Sequence, residues 1–308
     1  MVSIALRTPR VLADLLREHG GELDPGLETR TVAAVAAPLG APDDEALVPL
    51  TSARAMPTGG LGARLVLVSR ELRDRVPVGQ RWVHSHPWWV LAELLADAVV
   101  PWAASQSAAI APDASVAKSS VVLPGASVGP GCRLEEHAVV YGGVRLGSRV
   151  VVGAGAVLGR AGFGFAHGPD GQTRRIPQLG GVVIDDDVEI GALCTVDGGT
   201  LGPTVVGKGS KLDAHVHIGH NARVGARCFL AAQVGLAGSV ELEDGVWLGG
   251  QAGVADHVRV GRAARVAAKS GVVSDIPPGA VVAGFPAVPR LRWLRRMAWL
   301  MRAKGPTA

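Results

Sequence analysis

From Ile110 onward, every sixth residue is a branched aliphatic. The series runs Ile110, Val116, Val122, Val128, Leu134, Val140, Leu146, Val152 and Leu158. It breaks, resumes as Ile184, Ile190 and Val196, and after a four-residue insertion continues from Val206 through Leu212, Ile218, Val224 and onward to Val272. No polar residue occupies the repeat position. Four residues after each one the side chain is small or β-branched, as at Ala114, Ser120, Ala126, Cys132 and Ala138. A period of six fits neither the 3.6-residue helix nor the alternating strand. It fits short strands separated by tight turns, with one large and one small inward position per hexad. Stacked hexads then share a continuous core. The pattern predicts a mainly β fold, a parallel β-helix of hexapeptide repeats over residues 106–286.

The chain before it reads differently. Thr8-Pro9 is a helix-start signal, followed by Leu12, Leu15, Leu16 and His19 at helical spacing and stopped by Gly20-Gly21. Leu65–Val68 reads as a buried strand. Pro87 opens a second helix with Leu91, Leu94, Leu95 and Ala98 on one face, ended by Pro101. Residues 1–105 therefore form a small α/β domain. After Leu158 the repeat is interrupted by an excursion over 160–181 that contains Phe163 and Phe165, half of all the phenylalanines. Its rings either clamp the loop to the solenoid or wall a ligand or a neighbouring subunit. Residues 287–308 read as a basic helix starting at Pro289, with Leu291, Leu294, Ala298 and Met301 on one face. Arg290, Arg292, Arg295, Arg296, Arg302 and Lys304 are its cations, and no acid follows Asp275. Such a helix can cap the open end of a solenoid. It also suits an acidic protein partner or anionic lipid at the inner membrane surface.

Composition sharpens this division. Of 42 glycines, eight precede residue 106, so the composition changes at the α/β boundary. A hydrophobic fraction of 48% with 19% charged residues excludes intrinsic disorder as the main state. Three cysteines exclude a disulfide scaffold and suit a reducing compartment. Cys132, Cys194 and Cys228 all fall at the small inward position, which favours packing over catalysis. No apolar run reaches the roughly 18 residues of a membrane span, and MVSIALRTPR is too short an apolar stretch for a signal peptide. A cytoplasmic location is expected. The net charge of +4 does not point to nucleic acid.

The candidate chemistry is histidine. Three of the nine lie in Asp213-Ala214-His215-Val216-His217-Ile218-Gly219-His220-Asn221, and His257 follows 37 residues after His220. With 18 residues per coil these two fall near one edge, two coils apart and roughly 10 Å from each other. An imidazole with a pKa near 6.5 can take a proton from an amine attacking a carbonyl. Asp213 could orient that ring after folding or across a subunit contact. His215 and His217 read as solvated edge side chains.

The hexads resemble those of the hexapeptide-repeat acyltransferases, which implies a left-handed parallel β-helix of three hexads per coil, here about eight coils. The resemblance narrows at GFGF, RRIPQLGGVVIDDDVEIGALCTVD, VHIGHNARVG, AAQVGLAGSV and LGGQAGVADHVRVG. These look like the UDP-3-O-acylglucosamine N-acyltransferase family of lipid A biosynthesis, closely so from Gly162 to Pro286. The resemblance implies transfer of a hydroxyacyl chain from the phosphopantetheine of acyl carrier protein to the 2-amine of a UDP-3-O-acylglucosamine, with no bound cofactor or metal. It implies His220 as general base, Asp213 as its acidic partner, and a homotrimer with sites between neighbouring helices. Asn221, His257, Phe163, Phe165, Gln233 and Gln251 become expected substrate contacts, a backbone amide near Gly238 an expected oxyanion donor, and Arg290, Arg292, Arg295 and Arg296 an expected docking surface for acyl carrier protein.

The chain also departs from that family. Val48 and Arg54 stand where the uridine-binding aromatic residues are expected, and the first 105 residues hold no Phe or Tyr, only Trp82, Trp88, Trp89 and Trp102. The first block of hexads is about two coils short, and Asp197-Gly198-Gly199 replaces Asp-Arg-Gly. Other readings of the same pattern are an acetyl-CoA-dependent sugar N-acetyltransferase, a non-catalytic β-helix, and a γ-type carbonic anhydrase. The last needs a histidine five residues after His220, where Gly225 stands.

Overall fold

The computed structural model describes residues 3–38, 45–56, 61, 64–285 and 289–302, and among side chains in these stretches not those of Ala55, Trp293, Leu300 and Met301. The chain opens as β1 (Ile4–Val11), α1 (Leu12–His19), β2 (Glu22–Leu23), β3 (Thr31–Val35), β4 (Ala46–Leu50), β5 (Leu65–Ser69), β6 (Arg81–His84) and α2 (Pro87–Ala96). Its six strands form one sheet in the order β1-β3-β4-β5-β6-β2. The strand expected at Leu65–Val68 is β5. The helix signal at Thr8-Pro9 is overruled: strand β1 runs through it to Val11, and the helix begins at Leu12. Proline is tolerated there because β1 is an edge strand, bulged between Ala5 and Arg10. Helix α2 buries Val90, Leu91, Leu94 and Leu95 and ends at Ala96, before Pro101.

From Ala109 the chain winds into three parallel sheets of eight, nine and eight strands, most of them only two residues long. In the regular coils a strand pairs with the one 18 residues later, as Ser127 with Arg145 and His217 with Gly235; across the excursion the separation is 38 residues, as Val157 with Thr195, and across the insertion 22, as Thr195 with His217. The hexad aliphatics face inward: Val140, Leu158, Val196, Ile218 and Leu248 are all fully buried. The small positions close the same core, with Ala138, Cys194, Cys228 and Val246 also fully buried. Each cysteine donates its thiol to a backbone carbonyl, Cys194 to Asp213 O at 3.0 Å. Burial raises all three thiols, Cys194 to about 11, so they pack and do not ionise. At the N-terminal end the core is open: Ile110 is 44% exposed and Val122 half-buried.

The excursion after Leu158 folds as an antiparallel hairpin of Phe165–His167 and Thr173–Arg175. It joins the α/β domain: Ala166, Ile176 and Leu179 pack with Leu91, Leu94 and Leu95. Arg174 stacks over Trp89 at 3.7 Å and pairs with Glu93. The hairpin thus ties α2 to the solenoid. A last helix, α3, spans Arg290–Arg302. Leu291 and Trp299 are 66% and 71% exposed, so within one chain these side chains cover nothing. Lys304 and the Met301 side chain, part of the expected basic and apolar faces, lie outside the described residues.

Candidate active site

His220 follows the strand His217–Ile218 and sits, half-buried, at the corner where one sheet of the solenoid turns into the next. Two glycines press on its ring. A Cβ at Gly162, in the excursion, would stand 2.8 Å from His220 Cβ and 3.2 Å from Asp197 Oδ2. A Cβ at Gly238, one coil later, would stand 2.7 Å from Cε1 and 2.8 Å from Nε2. Only glycine fits either place without moving the imidazole.

Behind the ring, Asn221 holds Nδ2 at 3.0 Å from His220 Nδ1. The Asn221 carboxamide accepts from Thr200 N–H at 2.7 Å and donates to Thr200 Oγ1 at 3.0 Å. Thr200 Oγ1 donates to Gln178 Oε1 at 2.9 Å. Asn221 is thus spent on the protein itself, in a left-handed backbone conformation suited to asparagine. Burial lowers the His220 pKa from the ordinary histidine value. The charges of Asp256 and Asp197 and a hydrogen bond with the Phe163 backbone oppose this, while His257 adds to it. The ring is therefore held neutral at neutral pH, the state a base requires.

Asp197 is nearly fully buried beside this corner. Arg160 pairs with it at 3.0 Å across the sheet, and His217 Nε2 lies 3.9 Å from its other oxygen. Burial raises its pKa against the pull of Arg160, His217 and His220. His217 is itself anchored to Thr195 Oγ1 at 2.7 Å.

The sequence-predicted residues divide between two corners of the triangular coil. His220, Asn221, Gly238 and His257 share one. Asp256, exposed at its rim, lies 36 residues after His220 and occupies the same corner position two coils on. Gln233 and Gln251 share the preceding corner, where they hydrogen-bond each other at 2.5 Å. His215 is at that corner too, so one chain does not bring His215 and His220 to one metal. Asp213 lies there as well: its carboxylate accepts from Ala214 N–H at 2.7 Å and lines a separate groove of about 500 Å³ with Lys211, Phe229 and Trp247. Within one chain it does not meet His220. Phe163 and Phe165 touch edge to face at 5.1 Å and are 83% and 39% exposed, so they do not clamp the hairpin down. Arg290, Arg292, Arg295 and Arg296 are exposed on α3.

A cleft of about 480 Å³ runs from this corner to the α/β domain, lined among others by Arg54, Trp88, Thr200, Asn221, Arg223, Ser239, His257 and Arg259. Arg54 fixes its far wall, pairing with Asp275 at 3.0 Å and donating to the His257 carbonyl. Val48 is buried in β4 and does not line the cleft, whereas its neighbour Pro49 does. Among the described residues, Trp88, 36% exposed, is the large aromatic side chain that lines it. Sequence reasoning missed Trp88, Thr200, Gln178 and Asp256. Only Trp88 carried a signal, as an aromatic at the first turn of a helix opened by Pro87.

The bacterial transferase hexapeptide (six repeats) matches residues 125–160 and 203–238. The UDP-3-O-acylglucosamine N-acyltransferase of Caulobacter sp. (strain K31) is 49% identical over 150 residues, covering 49% of this chain and 44% of that protein. That of Methylobacterium sp. (strain 4-46) is 49% identical over 147 residues, covering 48% and 42%. That of Rhizobium meliloti (strain 1021) is 43% identical over 143 residues, covering 46% and 40%. The chain thus matches under half the length of these curated relatives. Among solved structures, UDP-N-acetylglucosamine acyltransferase from Campylobacter jejuni is similar, with 26% identity over 59% of this chain and 77% of that chain, at a TM-score of 0.46. The chain carries hexapeptide repeats and is similar over about half its length to UDP-3-O-acylglucosamine N-acyltransferases.

Proposed function

We propose that the protein is an N-acyltransferase of lipid A biosynthesis, moving an acyl chain from acyl carrier protein to the 2-amine of a UDP-3-O-acylglucosamine in the cytoplasm. The observation that carries this reading is His220. It is a half-buried imidazole kept neutral by its surroundings, next to Asn221 and at the same corner as His257, both of which line the cleft that reaches the α/β domain. Relatives 49% identical over about half of this chain are named UDP-3-O-acylglucosamine N-acyltransferase.

In this reading the sugar nucleotide lies in the cleft. Arg223 and Arg259 supply positive charge, and Trp88 supplies a face for a base. The amine attacks the thioester carbonyl as His220 removes its proton, and backbone amides near Gly238 receive the developing oxyanion. His220 then returns the proton to the departing thiolate. No cofactor is required beyond the donor's own phosphopantetheine. Asp213, Gln233 and Gln251 occupy a different corner from His220, so they reach a substrate beside it only from a neighbouring chain. That requirement favours a homotrimer with sites between solenoids. The exposed arginines of α3 suit an acidic carrier protein.

The test is product mass from purified protein given acyl carrier protein thioesters of several lengths, or acetyl-CoA, with UDP-3-O-acylglucosamine. Product from a carrier thioester and not from acetyl-CoA supports the reading. Product from acetyl-CoA alone replaces it with an acetyltransferase.

A further inference from the structure

The hydrogen bonds behind His220 have only one consistent direction. Begin at the Ile176 carbonyl, which can only accept. Gln178 Nε2 donates to it at 3.1 Å, which leaves Gln178 Oε1 as an acceptor. Thr200 Oγ1 therefore donates its proton to Oε1, at 2.9 Å, and presents a lone pair to Asn221. The Thr200 backbone N–H can only donate, and it meets Asn221 Oδ1 at 2.7 Å. Both contacts fix the same orientation of the Asn221 amide, with Nδ2 toward Thr200 Oγ1 and toward His220 Nδ1. Flipping the amide would set two donors against each other at Thr200 N. The relay is shielded: Gln178 and Thr200 are 9% and 5% exposed. Asn221 is also held through its backbone, N–H to Thr204 Oγ1 at 2.9 Å.

We infer that Gln178, Thr200 and Asn221 form a positioning relay that keeps His220 Nδ1 an acceptor, so that the neutral ring carries its one proton on Nε2, beside Gly238. A second proton on the ring, at Nδ1, would meet a donor already in place. The relay thus works in the same direction as burial and against Asp256, Asp197 and the hydrogen bond with the Phe163 backbone. His257 is the further titratable group that faces the ring. The consequence for catalysis rests on the acyl-transfer reading. For Nε2 to take the amine proton, the ring proton must stand on Nδ1, and the Asn221 amide must turn off that nitrogen. The excursion over 160–181 supplies both Gln178 and the Gly162 that presses on the ring.

Ring nitrogens report this without substrate, so the result stands whether or not the acyl-transfer reading does. In ¹⁵N-labelled full-length protein at neutral pH, the His220 signals are assigned by their loss in His220→Gln. The wild-type ring is expected with a protonated Nε2 and a bare Nδ1, by at least tenfold. Asn221→Asp offers a carboxylate in the same place and should move the proton to Nδ1 and raise proton affinity at least tenfold. In an acylation assay its acid limb should move up in pH, whereas a merely structural defect lowers the plateau and leaves the limb in place. A wild-type ring protonated on Nδ1, with the Phe163 carbonyl as its partner, overturns the inference. So does an Asn221→Asp ring with unchanged tautomer and midpoint. Should Asn221→Asp fail to fold, the wild-type spectrum alone decides.

Discussion

Gly238 lies against His220 so closely that a Cβ there would stand 2.8 Å from Nε2 and 3.2 Å from Asp256 Oδ1. The pair belongs to successive coils of one corner, and the 18-residue repeat holds them in contact. Gly238→Ala should therefore displace the imidazole by a fraction of an ångström to an ångström. Its φ is not in the left-handed region, so the backbone accepts alanine. Turnover should fall roughly 10²-fold, with little change in melting temperature. Steady-state kinetics beside thermal unfolding check this; unchanged turnover would show that Nε2 does not act.

The lowered His220 pKa sets a direction for pH dependence. A base works only unprotonated, so activity is lost as pH falls through the folded-state pKa. The acid limb of kcat/KM should have its midpoint below the ordinary histidine value of about 6.5. Asp256 favours the charged ring, so Asp256→Asn should move the midpoint further down. A wild-type midpoint above 6.5 would contradict the assignment.

Solenoid stability should vary along the axis. Leu248 is fully buried inside the stack, its strand third from the C-terminal end of the nine-stranded sheet, and an aspartate there would be an unpaired buried charge. Leu248→Asp should destabilise by several kcal/mol and abolish cooperative unfolding. Val122, half-buried at the open end, should tolerate the same change far better. Equal loss at both positions, by circular dichroism, would mean that the end coil is covered in solution.

The fold was legible because each hexad states its own geometry. A buried aliphatic and a small residue at fixed spacing specify strand and turn within six residues, and repetition does the rest. Site residues that are near His220 in sequence were legible for the same reason. Asn221 is its neighbour, and Gly238 is one coil away. Gln178, Thr200 and Asp197 were not, because the hairpin and the stacking of coils, not local spacing, bring them to the ring. Asp213, Gln233 and Gln251 differ in another way. They are near His220 in sequence or in motif, but a strand and a corner separate them from it within one chain. The Thr8-Pro9 signal failed because a sheet edge accommodates proline as well as a helix start does.

Helix α3 carries its arginines exposed and without nearby acids in the sequence. Arg295→Glu with Arg296→Glu should raise the KM for acyl carrier protein about tenfold or more and leave kcat near wild type. The effect should shrink as salt rises, since the attraction is screened. An unchanged KM at low salt would remove α3 from donor docking.

The most direct measurement compares wild type and His220→Ala in the acylation assay, with product identified by mass and assembly followed by light scattering. Wild type should yield UDP-2-acylamino-3-O-acylglucosamine from a carrier-protein thioester. His220→Ala should retain the assembly and lose at least about 10²-fold in turnover. No product from the folded wild-type protein, or equal rates from both proteins, would contradict the account.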